Sequence, residues 1–155
     1  MKTRITGMVI GFVLLFAAFG VAQEDIEGIA GMFWGAPVPK CCFNLSSLSK
    51  GNFKIYVNRE LAYFEGIPLK GNQYTFRSGK FYQFKITTEG HVNVLSMKAY
   101  VLSKLKPFSK PGILRGERNQ YEEYLTWDLP STKVEMYIGR GVDYAGLTFT
   151  SKLKD

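Results

Sequence analysis

Two short connectors, Arg77-Ser78-Gly79 and Thr88-Glu89-Gly90, constrain this chain most, because each ends in glycine and each separates runs of alternating apolar residues. A three-residue hairpin loop needs a left-handed residue in third place, and glycine adopts that conformation without steric cost. Tyr74 and Phe76 precede the first connector, Tyr82, Phe84 and Ile86 lie between the two, and Val92 and Val94 follow the second. Closed this way, the loops set Phe76 opposite Lys80, Tyr74 opposite Tyr82, Thr87 opposite His91 and Ile86 opposite Val92. Every even-numbered apolar residue then falls on one face of one sheet, so turn chemistry and hydrophobic pattern agree.

The same period extends in both directions. Phe53, Ile55 and Val57 alternate with Lys54 and Tyr56, the pattern of a half-buried strand. Beyond Val94 the apolar positions change parity to Leu95, Met97, Ala99 and Val101, which predicts a bulge or a crossing to a second sheet. Tyr121, Leu125, Trp127 and Leu129 alternate up to Pro130-Ser131-Thr132-Lys133, and Val134, Met136 and Ile138 return, so that Leu129 is expected opposite Val134 and Trp127 opposite Met136. Gly139-Arg140-Gly141 turns into a last strand carrying Ala145, Leu147 and Phe149. Short strands at regular spacing, with no long helical period, predict an all-β fold: an antiparallel β-sandwich, or alternatively a small β-barrel. Aromatic residues of outward parity, Tyr56, Phe81, Tyr100 and Tyr137, are candidates for an exposed sheet face.

The N-terminus has the pattern of an address. Lys2 and Arg4 precede an apolar run from Ile5 to Phe19, and Gly20-Val21-Ala22 offers small residues for a signal peptidase. Crossing a bilayer takes about 20 apolar residues; this run is shorter and holds Gly7 and Gly11, so a cleaved signal is expected in place of an anchor. Gln23 after the cut argues against a lipoprotein. The expected organisation is a signal peptide over residues 1–22, an N-terminal segment or linker over 23–50 and a β-sandwich domain over 51–155, secreted or periplasmic. Within the linker, the spacing of Ile26, Ile29 and Phe33 predicts a short helix ending before Pro37, in an otherwise irregular segment. Asn44-Leu45-Ser46 matches a glycosylation acceptor if the source is eukaryotic.

Cys41 and Cys42 are adjacent and are the only two cysteines, so no disulfide framework is expected. Cα atoms about 3.8 Å apart fall short of ordinary disulfide geometry. Three outcomes stay open: a vicinal disulfide, a bridge to another chain, or buried free thiols. Two adjacent thiolates with His91 as the single imidazole do not make a tetrahedral metal set.

The chain carries a net charge of +7, and cleavage would remove only Lys2 and Arg4, so the mature protein stays basic. Basic side chains crowd the irregular stretch from Ser103 to Gln120, where Lys104, Lys106, Lys110, Arg115 and Arg118 face Glu117 alone. Long loops in compact domains are commonly functional, and this one is the candidate site for phosphate, sulfate or carboxylate groups.

Catalytic signatures are missing: the chain has no Gly-x-Ser-x-Gly elbow, HExxH, Walker loop or GxGxxG. Glu122 and Glu123 are neighbours on a predicted strand and point to opposite faces. No cofactor motif is present, and no RNA-binding signature supports nucleic acid as a partner. The expectation is an exported non-catalytic module that binds another protein, a glycan or an anionic envelope surface. Oligomers could form through Cys41, Cys42 or an edge strand. The alternative is a membrane-active protein whose Ile26 to Trp34 segment inserts while the basic domain holds anionic lipid.

Overall fold

A computed structural model of the chain describes residues 25–40, 45–60, 62–105 and 121–154. The strands are β1 (Gly28–Ile29), β2 (Met32–Phe33), β3 (Ser46–Lys50), β4 (Phe53–Asn58), β5 (Ala62–Phe64), β6 (Ile67–Leu69), β7 (Gly71–Arg77), β8 (Lys80–Glu89), β9 (Tyr121–Asp128), β10 (Thr132–Gly139) and β11 (Tyr144–Ser151). One helix, α1 (His91–Lys104), stands among them. Seven strands form one antiparallel sheet in the order β3-β4-β7-β8-β11-β10-β9, while β1-β2 and β5-β6 are two-stranded ribbons. The fold is mostly β, as the alternation predicts, and the sheet begins at Ser46.

Alternation gives the sheet one apolar face. Tyr56, Phe84, Ile86, Leu147, Met136 and Trp127 line it and are buried, and α1 covers it with Val94, Met97 and Val101. Each such side chain removed from water contributes about 1.5–3 kcal/mol. The helix corrects the expectation of a strand after Gly90. Gly90 does take positive φ (90°), but it ends β8 and admits a helix instead of closing a hairpin. Val94, Met97 and Val101 are spaced i, i+3 and i+7, a helical stripe, whereas Val92 and Leu95 are exposed. Asn93 Nδ2 donates to the Glu89 carbonyl at 2.8 Å across the junction.

The β7–β8 hairpin corrects the expected register. Its loop has two residues, Ser78 (φ 50°) and Gly79 (φ 78°), so Arg77 pairs with Lys80. Two consecutive positive φ values mark the type I′ turn, whose twist matches that of the strands. A bulge then restores the burial pattern: Phe76 pairs with Phe81 and Thr75 with Gln83, which leaves Tyr82 as the extra residue. Tyr74 therefore faces Phe84 in place of Tyr82.

Two further departures follow from turn geometry. In β9–β10 the loop is tighter than expected, so Trp127 pairs with Val134 and Leu125 with Met136. The shift is by two residues, which keeps every side chain on its predicted face. In β4 the buried residue is Tyr56, and Phe53, Ile55 and Val57 lie on the other face, half-buried. Near the N-terminus the expected helix is a ribbon: Ala30 (φ 54°) and Gly31 (φ 77°) turn the chain, and Ile29 pairs with Met32. The strand carrying Ala145, Leu147 and Phe149 forms as expected, with all three buried.

Candidate functional site

The face of the sheet turned away from α1 is polar. Pairing places Thr75, Gln83 and Thr150 in one row across it, and Gln73, Lys85, Thr148 and Glu135 in the next. Gln83 Nε2 donates to Thr150 Oγ1 at 3.0 Å, and Gln73 Nε2 donates to Thr75 Oγ1 at 3.3 Å. At one end the bulge turns Tyr82 outward, where its ring meets Phe53 at 5.7 Å between centroids. Arg77 lies over the same Tyr82 ring at 4.4 Å and donates from Nη2 to the Leu153 carbonyl at 3.0 Å. A cation stacked on a ring in this way is held in place.

Three concavities adjoin along this face and its end, each sharing one lining residue with the next. The middle one, of about 570 Å³, lies over Phe53, Ile55, Gln73, Thr75, Tyr82 and Gln83, with Lys50 at its edge. It shares Gln73 with a second, of about 390 Å³, whose charged residues are Arg59, Lys70 and Lys85. It shares Tyr82 with a third, of about 160 Å³, whose charged residues are Arg77, Lys80 and Lys154. The result is a shallow trough with cations at both ends and, among the described residues, no Asp or Glu along its lining. Lys70 pairs with Glu89 outside the trough, but both side chains are more than half exposed (62% and 54%), so solvent screens the pair. Lys85 also approaches the Tyr137 ring, 5.5 Å from its centroid.

The trough offers guanidinium and ammonium donors, amide and hydroxyl groups, and one half-buried aromatic pair, Phe53 and Tyr82. That set suits an extended ligand with repeated anionic groups and rings or hydroxyls between them.

Carboxylates elsewhere serve the scaffold. Glu123 binds Lys98 Nζ at 2.5 and 2.8 Å, and Asp128 binds Lys152 Nζ at 2.6 Å. Burial pushes the Glu135 carboxyl up, but hydrogen bonds from Lys133 and Tyr124 outweigh it and hold the group below the usual range. Burial and Glu135 together push the Tyr124 hydroxyl far up, so it remains a donor at physiological pH. Among the described residues no group of three or more His, Cys, Asp or Glu could hold a metal ion. No helix among them is long and apolar enough to cross a membrane.

Of the anion-binding residues expected from sequence, Lys104 is described: it ends α1, on the covered side of the sheet and away from the trough. Lys106, Lys110, Arg115 and Arg118 lie outside the described residues, as do Cys41, Cys42, Asn44 and residues 1–22. Of the proposed sheet-face aromatics, Tyr137 does lie on the open face. Tyr56 and Phe81 are buried, a correction that follows from the parity of β4 and the bulge in β8, and Tyr100 packs on α1 against Phe64 at 5.4 Å. Sequence reasoning missed the trough residues because they are scattered from Lys50 to Lys154, and only the strand register collects them. No family model matches the chain, and neither a curated protein nor a solved structure matches it.

Proposed function

We propose that this chain is a non-catalytic binding module, delivered outside the cytosol by its N-terminal leader, that holds an extended acidic glycan in the trough on the open sheet face. The finer architecture proposed is the antiparallel β-sandwich expected from sequence, with a small β-barrel as the alternative; α1 lies against the other face of the large sheet. One observation carries the proposal: basic side chains from five separate stretches converge on one groove whose lining, among the described residues, has no carboxylate. A chain folded only for solubility has no need to segregate its charges in this way. Tyr82 and Phe53 supply flat apolar surface for sugar rings, and Gln73, Gln83 and Thr75 supply hydroxyl partners.

Retention on immobilised heparin and polygalacturonate, with neutral dextran as control, tests the proposal. Binding should be confined to the two polyanions and should weaken steeply between 0.05 and 0.5 M salt, as screening shortens to a few ångströms. The triple variant Arg59→Gln, Lys70→Gln, Lys85→Gln should bind roughly tenfold more weakly, given that each exposed ion pair contributes about 0.2–1 kcal/mol. Equal binding to dextran, or unchanged retention of the triple variant, would remove the trough from consideration.

A further inference from the structure

The covered side of the sheet holds a second cavity, of about 310 Å³, between the β1–β2 ribbon and the last turn of α1. Its walls are apolar: Ile26 and Ile29 from the ribbon, Phe64 from β5, Leu105 after α1 and Phe149 from β11. Three polar residues also line it, and two of them are engaged elsewhere. The Asp25 carboxylate accepts from the Ser131 backbone N–H at 2.9 Å and from the Ser131 hydroxyl. The Tyr100 hydroxyl is hydrogen-bonded to Glu65. Lys104 is the third; its ammonium makes no ion pair among the described residues, and its side chain is exposed at the rim.

We infer that this cavity binds a medium-chain fatty acid, with the alkyl chain among Ile26, Ile29, Phe64 and Phe149 and the carboxylate on the Lys104 ammonium. The volume lies near the lower end of the ~300–1,000 Å³ range of ligand cavities, which suits one short alkyl chain. Charge decides the head group. Lys104 is the cation at the rim, whereas the Asp25 carboxylate is held by its Ser131 hydrogen bonds and offset by the charge of Lys152, so an anionic head is favoured at Lys104. The site is separate from the trough and uses none of its residues.

Titration calorimetry of the full chain with dodecanoate and with dodecyltrimethylammonium tests this. Dodecanoate should bind with one-to-one stoichiometry and the cationic analogue at least tenfold more weakly. Lys104→Ala should weaken dodecanoate severalfold, and Ile29→Phe, which fills the cavity, should abolish saturable binding. Circular dichroism would establish that both variants keep the wild-type fold; Lys104 is exposed at a helix end, so its replacement leaves the core intact. Absence of saturable binding, equal affinity for the two amphiphiles, or indifference to Lys104→Ala overturns the proposal.

Discussion

Phe81 faces Phe76 across the β7–β8 ladder with ring centroids 5.5 Å apart, although strict alternation back from Phe84 would turn Phe81 toward solvent. The extra residue at Tyr82 reconciles the two. By absorbing one position it sends Phe81 inward, where it is 1% exposed, and sets its own ring in the trough. One irregularity thus serves both the core and the proposed site.

The two aromatic neighbours should therefore respond oppositely to truncation. Phe81→Ala leaves a cavity and should cost about 3–5 kcal/mol in a urea titration. Tyr82→Ala should stay within about 1 kcal/mol of wild type but bind acidic glycan severalfold more weakly. A large stability loss at Tyr82 with unaltered glycan retention would contradict the division of roles.

How far the sequence foretold this arrangement depends on which interactions set each element. Leu125, Trp127, Val134 and Met136 alternate without interruption, so their faces were legible even though the register moved by two. The bulge at Tyr82 was not, because its only trace is a Phe-Tyr pair whose members look interchangeable until Phe76 and Trp34 select Phe81; Trp34 stacks on it at 5.0 Å. Helix α1 was hidden by coincidence. Met97 and Val101 fit both a period of two with Leu95 and a helical stripe with Val94, and Gly90 suits a hairpin as well as a strand-to-helix junction. The trough was the least legible, since a run such as Lys104 to Arg118 stands out in one dimension whereas Lys50, Arg77 and Lys85 meet only through strand pairing.

Trp34 fastens the β1–β2 ribbon to the sheet. Its indole Nε1 donates to the Ile26 carbonyl and to Thr132 Oγ1, each at 2.7 Å, and Thr132 is fully buried. Trp34→Phe keeps a ring to stack on Phe81 but removes the donor; Thr132 still donates to the Ile26 carbonyl, so the change should cost about 1 kcal/mol, the net contribution of the lost hydrogen bonding. Amide hydrogen exchange should show the loss as faster opening around Gly28 to Phe33 ahead of the large sheet. Uniform acceleration across both would show that the ribbon is not a separable unit.

Acid should loosen the same ribbon. Burial raises the Asp25 carboxyl, but the Ser131 side chain and backbone N–H, the Ile26 N–H and the charge of Lys152 outweigh it and hold the group below its usual value. A depressed carboxyl contributes stability that is present above the ordinary aspartate value of about 3.9 and is lost as pH falls through the folded-state value. Wild type should therefore exceed Asp25→Asn in thermal stability at pH 7, and the gap should close as pH falls through the lowered folded-state value. The Trp34 indole N–H resonance, one of two such signals in the chain, should shift over the same interval. A gap that persists undiminished at low pH would mean that the carboxylate charge plays no part.

Tyr137 lies across its cross-strand partner Gly146, and the fit depends on the missing side chain. A Cβ on Gly146 would stand 2.1 Å from Tyr137 Cζ, well inside contact distance. Gly146→Ala should therefore drive the ring off β11, disturb its approach to Lys85 and its contact with Tyr144 at 6.3 Å, and cost about 1–3 kcal/mol. The cause is a single clash, so removing its other half should restore tolerance: in a Tyr137→Ala background the added methyl should cost far less. A double-mutant cycle by urea denaturation measures that coupling directly, and contacting residues are expected to show about 0.5–3 kcal/mol of interaction energy. Costs that simply add would place the strain of Gly146→Ala in the strand backbone instead of under the ring.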